Sequence, residues 1–145
     1  SKIIGNVSPI FTEILNKDQS LEEKINLFVS TYIDVLLRNP YLPNFILNEL
    51  TLNPDSLLER FIKSNIDPQV QFAHLDAQLK KEGYSLSVQD FVINTVSMVV
   101  FPIAAKPIIQ SIFFQGDTAA YKEYIQHRKS TIITFIMNAL SGYKQ

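Results

Sequence analysis

The sequence predicts an all-α protein, and three observations predict it. Apolar residues recur at spacings of three and four along most of the chain. Proline, Ser, Asn, Asp and Gly punctuate it at helix-length intervals. No segment shows sustained period-two alternation with hairpin turns. Its 145 residues suit one domain, residues 1–145, and 46% hydrophobic content is enough for a sizeable core. We expect a bundle of about seven helices.

Each element has its own signal. Pro9 to Asn16 reads as a short amphipathic helix, with Ser8 as cap and Pro9 in the first turn. Lys17-Asp18-Gln19 is a polar break. Ser20 and Glu23 form a capping box that opens a helix to Arg38, whose inner face reads Leu21, Ile25, Phe28, Tyr32, Val35 and Leu36. Asn39-Pro40 ends it, because proline disfavours the α conformation in the residue before it. Tyr41 to Leu52 follows, with Pro43 in its first turn. Asn53-Pro54 caps a helix to Asn65 with Leu57, Leu58, Phe61 and Ile62 inward. Asp67-Pro68 starts another, carrying Val70, Phe72, Leu75 and Leu79 to a left-handed stop at Gly83. Ser87 caps a helical stretch from Val88 to Gln115 that Pro102 and Pro107 must kink or interrupt. Gly116-Asp117 precedes the last helix, Thr118 to Ser141, which ends at Gly142.

Residues 88–115 hold only two charges, Asp90 and Lys106. A helix apolar all round must be buried all round, and a small domain can enclose few such helices. The last helix also carries two apolar stripes side by side. These surplus faces predict a homodimer in which the last two long helices of each subunit form a four-helix bundle. The residues assigned to that interface are Ile108, Ile112, Phe113, Tyr121, Ile125, Arg128, Ile132, Phe135 and Ile136. The other arrangement is one central helix in a monomer.

Composition excludes more than it identifies. The formal net charge of −1 gives no field to attract nucleic acid or an anionic membrane. With no cysteine, disulfides, thiolate nucleophiles and cysteine-ligated zinc are excluded. His74 and His127 have no partner at ligand spacing, so no metal is expected. No phosphate loop, dinucleotide fingerprint or nucleophile elbow occurs, and we expect neither an enzyme nor a cofactor. No stretch reaches the ~20 mostly apolar residues of a membrane span, so a soluble cytoplasmic domain is expected. The chain begins at Ser1 without Met, as an excised domain or a tag scar does.

Some residues have two readings. Asn48 and Glu49, set among Phe45, Ile46, Leu47 and Leu50, either face water or turn into a cavity to orient a ligand. Asn94 and Ser97 either make helix hydrogen bonds or do the same. The aromatics Phe28, Tyr32, Phe45 and Phe72 are core or cavity wall.

The segments Leu21-Glu22-Glu23-Lys24-Ile25, Tyr32-Ile33-Asp34 and Asn39-Pro40-Tyr41-Leu42-Pro43-Asn44-Phe45-Ile46-Leu47-Asn48-Glu49 resemble the regulatory domain of TetR-family repressors. Tyr124-Ile125-Gln126-His127-Arg128-Lys129-Ser130, followed by Ile132-Ile133, looks like their final helix, and the helix order agrees across essentially the whole chain. The resemblance implies dimerisation through the last two helices and a small apolar effector in a cavity among the preceding ones. The candidate walls are Phe28, Tyr32, Phe45, Asn48, Glu49, Phe72, Asn94 and Met98. It also implies transcription regulation through an N-terminal helix-turn-helix. No such module lies in these residues, so DNA would be contacted only by a domain absent here, and Ser1 to Asn16 would be the tail of the connecting helix. The competing expectations are a stand-alone carrier of apolar ligands and a purely structural dimerisation module.

Overall fold

The structure, a computed structural model, describes residues 10–145. The expected Ser8–Pro9 start of the first helix lies outside the described residues. Among the described residues the chain forms eight helices and no strand. Helix α1 covers 10–16, and α2 runs from Leu21–Arg38. The others are α3 (Leu42–Leu52), α4 (Pro54–Lys63), α5 (Pro68–Lys81), α6 (Val88–Ala104), α7 (Lys106–Phe114) and α8 (Thr118–Ser141).

The caps follow from residue chemistry. The Ser20 hydroxyl accepts from the Glu23 amide at 3.2 Å, and a contact of 3.1 Å joins it to the Glu23 carboxylate. Ser87, Asp67 and Asp117 each accept from a backbone amide of the helix they open. Helices α3, α4, α5 and α7 carry proline in their first turn, where its missing donor costs nothing. Asn53 departs from the expected side-chain cap: its amide turns back toward Glu49, at 3.5 Å. Gly83, at φ +88°, supplies the left-handed stop after α5.

The expected stretch from Val88 to Gln115 is two helices, which raises the count from seven to eight. They meet at Ala105 with a bend of 74°. Pro107 sits in the first turn of α7, whereas Pro102 lies inside α6. Proline has no amide to donate to the carbonyl four residues back, which here belongs to Met98. Arg128 of α8 supplies a replacement donor, its Nη2 lying 2.9 Å from the Met98 carbonyl oxygen. The Tyr121 hydroxyl donates to the Pro102 carbonyl at 2.8 Å. The Met98 and Pro102 carbonyls of α6 are thus both hydrogen-bonded to α8.

Helix α2 packs along α8 and α6, α5 and α3 pack on α6, and α4 packs on α3. The buried row of α2 is Leu21, Ile25, Val29, Ile33 and Leu36. Phe28 and Tyr32, expected at its centre, are half-buried on the adjacent row. The rows through positions 28 and 29 are both compatible with a period of 3.6, and the packing of α6 and α8 favours the aliphatic one. On α8 the buried row is Tyr121, Ile125, Ile132, Ile136 and Leu140. Past α8, residues 143–145 return to 83–85: the Ser85 amide donates to the Tyr143 carbonyl at 2.8 Å, and the Gln145 amide to that of Gly83 at 2.7 Å. Lys144 donates to the Glu82 carbonyl and lies over the Tyr84 ring.

Candidate functional site

A small apolar cavity of about 50 Å³ lies between α1, α2, α5 and α6. Each helix contributes the residues that its period turns inward. They are Phe11, Ile14 and Leu15 from α1, Leu21, Ile25 and Phe28 from α2, Leu75 from α5, and Phe91, Val92 and Val96 from α6. Thr95 also borders it, but its hydroxyl is spent on the Phe91 carbonyl at 2.7 Å, so it presents its methyl side. Phe11 and Phe28 meet edge to face at 5.9 Å, and Phe28 lies 4.7 Å from Tyr32. Burial raises the Tyr32 hydroxyl above the ordinary tyrosine pKa and keeps it neutral.

Lys24 lies where this cavity meets an open polar groove lined by Lys17, Asp18, Gln19, Ser20, Glu23, Gln78, Lys81, Glu82 and His74. The residue is only 9% exposed. Its Nζ donates to the Leu15 carbonyl at 2.8 Å and to the side-chain oxygen of Gln78. Burial lowers its pKa, and the more distant Glu82 and Asp18 carboxylates oppose that shift. Glu82 is itself engaged, accepting from the Leu21 amide at 3.0 Å and from Gln78 Nε2 at 2.8 Å. This network fastens the α1–α2 turn to the C-terminal end of α5.

Of the eight residues proposed for the ligand, the structure brings only Phe28 to the cavity wall, with the Tyr32 ring tilted against it. Phe45 and Met98 pack against the core from outside the cavity. Asn48 and Asn94 are exposed, and Glu49 and Phe72 are half-exposed away from the cavity. Asn48 and Asn94 sit on the solvent side because Leu42 and Pro43 of α3, and Phe91, Thr95 and Val99 of α6, occupy the inward positions. Lys24 and Phe11 escaped the sequence reading. A lysine next to Glu22 and Glu23 resembles a solvated helix start, although Lys24 shares the face of Leu21, three residues before it.

The residues assigned to a dimer interface divide in two. Tyr121, Ile125, Ile132 and Ile136 are buried in the core of the single chain, so a second copy cannot reach them. Helix α8 has two adjacent apolar rows, and α2 and α6 cover this one. Burial pushes the Tyr121 hydroxyl up to about 12. Ile108, Ile112, Phe113 and Phe135 are each more than half exposed. No residue of α7 is buried, and Ile108 and Ile112 lie one turn apart on it. The neighbouring row of α8 runs through Tyr124, half-buried Arg128 and Phe135, and Tyr124 contacts Phe114 of α7 at 5.2 Å. Helix α6 also exposes Ile93 and Phe101, so the charge-poor segment is not enclosed by its own chain.

Among the described residues no group of three His, Asp or Glu side chains could hold a metal ion. No single helix there is long and apolar enough to cross a membrane. No protein-family profile, curated protein or solved structure matches the chain.

Proposed function

We propose that this chain is the regulatory domain of a TetR-like transcriptional regulator. In this reading it is cytoplasmic, forms a homodimer through α7 and the outer row of α8, and senses a small, largely apolar effector. Its partner activity, DNA binding, belongs to an N-terminal helix-turn-helix outside these residues. The single observation that carries the reading is the apolar outer face of α7 and α8. Ile108, Ile112, Phe113 and Phe135 lie open to water there, and large exposed apolar patches mark interaction sites. The α1–α2–α5–α6 cavity supports the sensing half. It is small beside the ~300–1,000 Å³ of ordinary ligand pockets, so the effector must favour a more open arrangement. Because α1 supplies Phe11, Ile14 and Leu15 to the wall, opening the cavity displaces the helix that leads toward the N-terminus. A ligand that prefers the displaced arrangement biases whatever α1 is joined to.

Light scattering on the purified chain tests the dimer. Wild type is expected to be dimeric at micromolar concentration, and Ile112→Glu to be a folded monomer whose melting temperature no longer rises with protein concentration. The parallel change Ile132→Glu is expected to unfold the chain, because it buries an unpaired charge in the monomer core. A strictly monomeric wild type overturns the regulator reading and favours the carrier. A dimer that no apolar compound stabilises in a thermal-shift screen favours the purely structural module.

A further inference from the structure

The ligand-sensing reading leaves the effector's chemistry open, and Lys24 narrows it. A buried charge is ordinarily paired. Lys24 is more than nine-tenths buried, yet its two partners, the Leu15 carbonyl and the Gln78 amide, are both neutral. Among the described residues no carboxylate lies within 4 Å of its Nζ; the ion pairs there are Asp76–Lys80 and Asp34–Lys129. Residues 1–9 contain no Asp or Glu that could serve. An ammonium also carries three protons, and two are used. Apart from Lys24, the groove beside it holds two lysines, three carboxylates and His74. Its net field is therefore weak, and any preference for an anion must come from Lys24 at short range. On the other side of the same residue, every cavity neighbour presents carbon.

We propose that the effector is an amphipathic anion of the fatty-carboxylate class, with its apolar tail in the α1–α2–α5–α6 cavity and its head group on the Lys24 ammonium. This inference rests on the sensing reading. The tail enters by parting the edge-to-face pair of Phe11 and Phe28. The carboxylate takes the unused proton of Lys24 in a charge-assisted hydrogen bond and places a counter-ion in direct contact with it, closer than Glu82 or Asp18.

The test compares decanoate, decyl phosphate, decanol and decylamine, all below their micelle concentrations, by titration calorimetry and thermal shift. Hydrogen bonds to charged groups are stronger than those between neutral partners. Decanoate is therefore expected to bind wild type at least about tenfold more tightly than decanol. Lys24→Met is expected to bind both equally, and Lys24→Arg to keep the preference. A merely structural Lys24 would change the melting temperature of the variants and leave the decanoate-to-decanol ratio alone. An unchanged ratio in Lys24→Met overturns the proposal, as does equal binding of decanol to wild type. Tighter binding of decyl phosphate than of decanoate overturns the carboxylate class in favour of a phosphate head group. If no decyl compound binds while other apolar compounds stabilise the chain, this inference falls and the sensing reading stands. If nothing stabilises it, both fall.

Discussion

The layer of α2, α6 and α8 and the hairpin of α3 and α4 use apolar residues very differently. The α3 sequence is more apolar than that of α2 or α8. Yet α2 buries seven residues and α8 five, whereas α3 buries only Leu42 and Pro43, and α4 only Leu57. Leu47, Leu50, Leu52, Leu58 and Ile62 remain exposed. The difference lies in the neighbours. Helix α2 is flanked by α6 and α8, while α4 rests on α3 at the margin. Burial here reports how many helices surround a position, not how apolar its helix is.

Matched truncations should expose that contrast most sharply. Ile132→Ala, in the α2–α8 seam, is expected to cost about 2–5 kcal/mol in denaturant unfolding, since it leaves a cavity that the layer cannot fill. Ile62→Ala, on the hairpin's outer side, is expected to stay within about 0.5 kcal/mol of wild type. Equal losses would mean that the hairpin is as tightly enclosed as the layer, and the comparison would fail.

A smaller effect probes how the layer tolerates its internal proline. Arg128→Leu removes the donor to the Met98 carbonyl and is expected to cost about 1–3 kcal/mol. Replacing Pro102 by Ala in the same chain should recover most of that loss, because the alanine amide can serve Met98 directly. Without that recovery, the Arg128 contact is not compensating for proline. Ser20→Ala should remove about 1 kcal/mol by leaving the Glu23 amide uncapped. An effect within experimental error would show that Glu82, which binds the Leu21 amide, holds this helix start alone.

The smallest effect concerns acid stability. The hydrogen bond from Lys129, at 2.7 Å, is the main cause of a lowered Asp34 pKa; desolvation opposes it, and the Lys129 charge, Gln126 and Arg38 assist. The folded value is below the ordinary 3.8. The contribution is therefore complete above that value and is lost as pH falls through the folded-state pKa. The pair is partly solvated, which screens the interaction and keeps the loss small. Asp34→Asn should flatten this part of the stability profile below about pH 4, and an unchanged profile would assign the acid sensitivity to other groups.

Helix starts were legible in the sequence because Ser20, Asp67, Ser87 and Asp117 cap by local chemistry, needing only the next few residues. The faces were less so. Two adjacent rows of α8 are apolar, and only the packing of α2 and α6 decides that Ile132 turns inward and Phe135 outward. The cavity was the least legible. Phe28 could be chosen as an aromatic on a core helix, but Lys24 acquires its burial from Gln78, 54 residues away. No spacing within α2 encodes that partner. Asn48 and Asn94 stand among apolar residues, as ligand-orienting groups do, yet helical period alone carries them to the surface.

The return of residues 143–145 to the turn after α5 has a kinetic consequence. Lys144 and the Glu82 carbonyl it binds are 62 residues apart. Bringing such ends together costs loop-closure entropy that helix formation does not incur. Contacts that join chain ends beyond helices already packed are expected to form late, after the folding barrier has been crossed. Interactions absent from the transition state leave the folding rate alone and slow the reverse reaction. The clasp at the chain's end thus acts as a brake on unfolding, extending the lifetime of a native state whose assembly it does little to hasten.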